Sequence, residues 1–159
     1  PDHVFRADEF YSCGGKSAND VVRFLNERYG MHMDAASTAA DKRRIYLEML
    51  EKEGMQPIRE VVEFVHSLGD APKAIATGSA MPGASRTLAA AGLSGLFDVI
   101  LTPDEVEHGK PAPDMFLKAA ELLGVSPDRC VVFEDAEPGM KAAAAAGMDC
   151  VQVRRPSLA

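Results

Sequence analysis

Between about Lys16 and Gly69 the apolar positions recur every three or four residues, the period of helices with one buried face. "SANDVVRFLNERYG" predicts a helix capped at Ser17 and stopped at Gly30, with Val21, Val22, Phe24, Leu25 and Tyr29 on its apolar face. "DAASTAADKRRIYLEMLEKEG" predicts a longer helix ending at Gly54. "PIREVVEFVHSLG" predicts a third, with Pro57 in its first turn and Gly69 as its stop. From Ala71 onward short apolar runs alternate with helical stretches. Strands are expected at Lys73–Thr77, Phe97–Thr102, Cys130–Glu134 and Asp149–Val153, with helices in "PGASRTLAAAG", "PDMFLKAAELLG" and "EPGMKAAAAAG" between them. This β-α-β-α-β-α-β order with short connections predicts an α/β, Rossmann-like fold: a parallel sheet with helices on its faces. The alanine run suits a helix packed closely on that sheet. Met49, Met115 and Met140 fall at helical positions and are expected to fill the core.

Composition narrows the picture. The 159 residues are 47% hydrophobic and 26% charged, ordinary for a globular protein. A net charge of −7 argues against nucleic acid or an anionic membrane as the main partner. It leaves small anionic substrates open, because a site can be positive locally. No apolar run approaches the roughly 20 residues needed to cross a bilayer, and "PDHVFRADEF" carries no secretion-signal pattern. Cys13, Cys130 and Cys150 are odd in number and lack CxxC spacing. Cys130 and Cys150 lie in strand-like segments and are expected as buried free thiols, which suits a cytoplasmic location. The chain is expected to act as a monomer. His32, His66 and His108 lack metal-ligand spacing, His66 reading as a helix-end residue, and "RRPSLA" as a solvated tail.

Open α/β sheets bind ligands beyond the carboxyl ends of their strands, so the residues that follow each strand are the candidates. After the first come Thr77, Gly78 and Ser79, two hydroxyls flanking a glycine before a helix start, a pattern that suits phosphate oxygens but on its own more often marks just a turn. After the second comes "TPDEVEHGKPAPD", where Pro111 and Pro113 stiffen the loop around Lys110; on its own Lys110 reads equally as a solvent lysine. At the end of the third stand Glu134 and Asp135. Adjacent carboxylates at a buried strand end repel, and suit a hard cation such as Mg²⁺ or the positive N-terminus of the next helix.

Taken in this order, these stretches resemble the motifs of the haloacid dehalogenase superfamily, on the helical-cap branch that includes sugar-phosphate phosphatases and β-phosphoglucomutase. "AIATGS" resembles its second motif, "GKPAPDMFLKAAELLGV" its third and "CVVFEDAEPGMKAAAAAGM" its fourth. The resemblance implies a helical cap over residues 1–56 and an α/β core over 57–159. It implies a Mg²⁺-dependent phosphatase acting on small sugar phosphates through an aspartyl-phosphate. Thr77, Gly78 and Ser79 would hold phosphate oxygens, Lys110 would bridge nucleophile and phosphate, and Glu134 and Asp135 would hold the metal. "CGGKS" resembles the cap loop that helps choose the substrate, which makes Lys16 a candidate for a phosphate or sugar hydroxyl, beside the plainer reading of a solvent lysine.

The family's first motif, DxDxT on its own apolar strand, should precede the cap, and no such stretch occurs here. The early acids are Asp2, Asp8 and Glu9, and "RADEFY" is no apolar strand, so Asp8 reads as a surface or cap-loop acid. "PDH" resembles the stretch that follows the first motif and would set His3 near the substrate. That strand is central in the family's sheet, so we expect two inner strand edges without partners. We also expect a leading segment outside these 159 residues, which alone should not turn over by the family mechanism. Other readings stay open. A phosphomutase is one, a non-catalytic phosphate- or metal-binding remnant a second, and a receiver-like signalling module a third. In a receiver, however, the acids precede the hydroxyl and lysine. A dehalogenase needs no paired metal acids.

Overall fold

The computed structural model describes Glu9 and residues 13–55 and 57–153. The early acids Asp2 and Asp8, His3 and the "RRPSLA" tail lie outside the described residues. Helix α1 (Ala18–Tyr29) starts where predicted: the Ser17 hydroxyl accepts the Asp20 N–H at 3.1 Å, and Gly30 ends the helix in the left-handed conformation. Val22 and Leu25 of its expected apolar face are buried. Helix α2 (Ala35–Glu53) is capped by Asp34 and packs along α1. Its Ile45, Tyr46 and Met49 are about half exposed, so the expectation that Met49 fills the core is not met. Helix α3 is Arg59–Ser67.

Strand β1 (Ala74–Ala76) pairs in parallel with β2 (Val99–Leu101), Ile75 opposite Ile100; helix α4 (Met81–Ala90) connects them. Strand β3 (Val131–Glu134) pairs in parallel with β4 (Asp149–Gln152), Phe133 opposite Val151, across helix α6 (Glu137–Ala145). Helix α5 (Asp114–Leu123) lies between the two pairs in sequence. The four parallel strands form two ladders, with no pairing between β1 and β3, so each of these has one edge without a strand partner among the described residues.

Two-stranded ladders of three or four residues are marginal by themselves, and α5 ties them together. Met115 and Ala119 pack with Leu101, against which Ala74, Ala76 and Val99 lie. One position further on, Phe116 and Ala120 pack with Val132, Ala142, Ala143, Ala146 and Met148, and Ala76 touches this cluster too. Neighbouring i, i+4 ridges of one helix thus serve the two ladders. Ala142 and Ala143 are fully buried, as the alanine run predicts. On the other face Val131, Phe133 and Val151 stay about half exposed, with the Phe64 ring of α3 centred 4.9 Å from that of Phe133.

The expectation of two buried thiols is corrected. All three cysteines are free, but Cys130 is half-buried just before β3, and Cys150 is exposed because β4 has no neighbour on its outer side among the described residues. No described helix is long and apolar enough to cross a membrane.

Two contacts fasten the loop between β2 and α5. Glu105 accepts the N–H of fully buried Thr102 at 2.7 Å and its hydroxyl at 2.6 Å, and Asp114 accepts the His108 N–H at 3.2 Å. Thr102's hydrogen bonds, the hydroxyl's foremost, hold the Glu105 carboxyl below its usual range. A carboxyl lowered by folding stabilises the fold above its ordinary value and ceases to do so as pH falls through the lowered one. The stability gap between wild type and Glu105→Gln is therefore expected to be widest near neutrality. It should close below the ordinary glutamate value of about 4.3, as read by thermal melts across pH. Met115→Ala, in the tightest part of the core, should cost about 2–5 kcal/mol in denaturant unfolding.

Candidate functional site

The carboxyl ends of β1 and β3 meet at one side chain. Lys110 Nζ donates to the carbonyl of Ala76, the last residue of β1, at 3.0 Å, and to Glu134 Oε2, at the end of β3, at 2.6 Å. Both side chains are buried, at 4% and 9% exposure, so neither partner is a surface ion pair of negligible weight. The ammonium also lies 4.8 Å from the centre of the Phe116 ring, which faces it with π-electron density. An ammonium has three N–H groups, and protein acceptors among the described residues take two of them. Pro113 directly precedes α5, and the loop between β2 and α5 carries Lys110 to the ends of β1 and β3.

Glu134 is held from its other side by the start of α6. Its Oε1 accepts the N–H groups of Asp135 at 3.1 Å and Ala136 at 3.2 Å, the unpaired donors of a helix N-terminus. The position is exacting. A Cβ on Gly139, one turn into α6, would fall within the Glu134 carboxylate, so only glycine leaves room for it. The sequence analysis did not single out Gly139; a glycine five residues after a strand-end acid was the available signal. Asp135 is half-buried beside this arrangement. The two like charges are thus placed differently: Glu134 is neutralised by Lys110 and the helix amides, and Asp135 stands next to it.

Thr77, Gly78 and Ser79 continue directly from Ala76, so Lys110 brings the hydroxyl turn and the paired acids to one place, as the rim argument expects. Thr77 N–H still bonds the Leu101 carbonyl at 2.9 Å, and its hydroxyl accepts the Ser79 N–H at 3.1 Å. The hydroxyl proton remains to be donated. Lys16 sits close by in a different sense. Its ammonium lies 4.7 Å from the Phe24 ring centre on α1, while its backbone carbonyl faces Gly78.

The donor set suits a hard cation: carboxylate oxygens, with no sulfur or imidazole in the group. Among the described residues no cluster of three or more His, Cys, Asp or Glu occurs.

Comparison with known proteins places the chain in a family. Residues 6–147 match the family model described as haloacid dehalogenase-like hydrolase. Fructose-1-phosphate phosphatase YqaB of Escherichia coli is 50% identical over 98 residues, covering 62% of this chain and 51% of that protein. Hexitol phosphatase A of the same organism is 32% identical over 154 residues, covering 90% of this chain and 71% of that one. The chain thus spans about half the length of the first relative and under three quarters of the second. A solved hydrolase from Pseudomonas syringae superposes with a TM-score of 0.81 at 27% identity, over 94% of this chain and 69% of that one. The family model spans most of the chain, and the chain belongs to the haloacid dehalogenase-like hydrolase family.

Proposed function

We propose that the full-length protein is a Mg²⁺-dependent phosphatase of small sugar phosphates. The observation that carries this reading is the Lys110 ammonium, fixed between the ends of β1 and β3 with the Thr77–Ser79 turn one residue away. Phosphoryl transfer spreads negative charge over several oxygens, so its catalysis is largely positioning and fixed positive charge. Lys110 would donate to one phosphate oxygen, and the Thr77 hydroxyl and the Gly78 amide to others. Ser79 supports the Thr77 hydroxyl through its N–H.

The formal charges of Lys110, Glu134 and Asp135 leave one net negative charge at this mouth. A phosphate would meet repulsion there unless a cation came with it. Asp135, with Glu134 beside it, would hold Mg²⁺, and the ion would supply positive charge to the phosphate oxygens. The reading requires a carboxylate nucleophile that forms an aspartyl-phosphate, a role we assign to no residue of the 159. The phosphatase names of the two Escherichia coli relatives support a phosphorylated sugar or polyol as substrate.

The test is phosphate release by the full-length protein from a panel of sugar phosphates, with Mg²⁺ and with a chelator. Release that depends on Mg²⁺ is expected. Silence toward every phosphate monoester would overturn the reading, and isomerised sugar phosphate without net release would turn it into the phosphomutase one. Lys110→Ala and Asp135→Asn should each lower turnover by at least about tenfold, as for other lost electrostatic stabilisers. Gly139→Ala should cost about 1–3 kcal/mol of stability through overpacking. Its cost should shrink in a Glu134→Ala background, because the group it collides with is gone; a double-mutant denaturation cycle reads the difference.

A further inference from the structure

The cap touches the core at the phosphate-binding turn itself. A Cβ on Gly78 would lie 2.6 Å from the Lys16 carbonyl oxygen and 2.8 Å from that of Gly15, far inside van der Waals contact and against backbone that cannot swing aside. A Cβ on Gly15 would lie 3.3 Å from Cδ of Lys110, so the same loop also rests on the stem of the site's lysine. The loop is a tight one, closed by the Lys16 N–H on the Cys13 carbonyl at 3.3 Å. A second contact lies further along. On α4, the helix that follows this turn, the Thr87 hydroxyl is 2.7 Å from the Tyr46 hydroxyl of α2, and Arg86 pairs with Glu51 of α2 at 3.2 Å. Both contacts fall on one core segment, the turn and its helix.

We propose that Gly78 is a positioning residue that sets the height of the cap loop over the phosphate-binding turn, with the Tyr46–Thr87 and Glu51–Arg86 contacts as the latch that keeps the loop there. The absent side chain at 78 fixes the headroom left for the part of the substrate that leaves with its oxygen. A methyl group at that place lifts the loop, since neither carbonyl can yield otherwise. This rests on reading Thr77–Ser79 as the phosphate site, but the height of the loop can be measured without any substrate.

Cys13 lies in the loop and reports its position. In the full-length protein, site-resolved alkylation of Cys13 should be at least about threefold faster in Gly78→Ala than in wild type, the change that a lost contact of hydrogen-bond size makes in an opening equilibrium. Half-buried Cys130, just before β3 in the core, should label at an unchanged rate and so controls for loss of the core fold. The Arg86→Gln/Thr87→Val double variant leaves Gly78 in place and should accelerate Cys13 in the same direction, so the question can be decided even if Gly78→Ala does not fold. Unchanged Cys13 labelling in the folded variants overturns the proposal. On the activity side, Gly78→Ala should raise kcat/KM for p-nitrophenyl phosphate relative to a small sugar phosphate by at least about threefold, a ratio that a uniform loss of phosphate binding would not move. An unmoved ratio in active enzyme also overturns it. Absence of any phosphatase activity with accelerated Cys13 labelling would sink the functional reading and leave the cap-height inference standing.

Discussion

The structure depends on one buried charge. An ammonium taken out of water costs several kcal/mol unless a counter-charge and hydrogen bonds replace the solvent, and Lys110 obtains both only where the ends of β1 and β3 come together. That requirement propagates. Glu134 must sit at the ladder end, its second oxygen must be satisfied, and the amides at the start of α6 satisfy it. For α6 to come so close, position 139 must carry no side chain, and the positions further along must stay small, as Ala142 and Ala143 do. A polar demand at the mouth of the sheet and an apolar one beneath it therefore call for the same kind of helix.

The same lysine explains how two short ladders keep one geometry. Each pair of strands is too small to hold itself. Below the mouth, α5 divides its ridges between the two clusters, with Ala76 touching both. At the mouth, Lys110 links the β1 carbonyl to the β3 carboxylate. The loop that carries Lys110 is fastened near both ends, by Thr102 with Glu105 and by His108 with Asp114. The ammonium is therefore placed by backbone elements on either side of it. That is the condition under which a charge is preorganised rather than merely present.

What could be read from the sequence was what short-range periodicity and capping encode. Ser17, Gly30, Gly54 and Gly124 end or begin helices as expected, because caps act within a few residues. Thr77, Lys110 and Glu134 were legible as rim residues because strand ends order a parallel fold's chemistry. Pairing and exposure were less legible. Nothing in the composition of β1 and β3 says that they stay apart, and the exposure of Cys150 and Met49 follows from which neighbours cover them, a non-local fact. Lys16 shows the same limit. Its position in the loop was foreseeable, whereas the turn of its ammonium onto Phe24 depends on the face of α1 lying alongside.

The acidic character of the whole chain is no obstacle to an anionic ligand. Many of its charges are exposed and locally paired, as in Arg44 with Glu48, Arg59 with Glu63 and Lys141 with Glu137. Exposed charges further than about 8 Å away are largely screened at physiological ionic strength. Their sum therefore bears on long-range encounters, where a net charge of −7 repels extended polyanions. On the proposed function, binding of a single phosphate would be decided inside that radius by few groups: a buried lysine, hydroxyl and amide donors, and carboxylates whose excess negative charge would make room for a cation. A small phosphate ester can bring such a cation with it, and the same pair arriving together is neutral enough to approach an acidic surface.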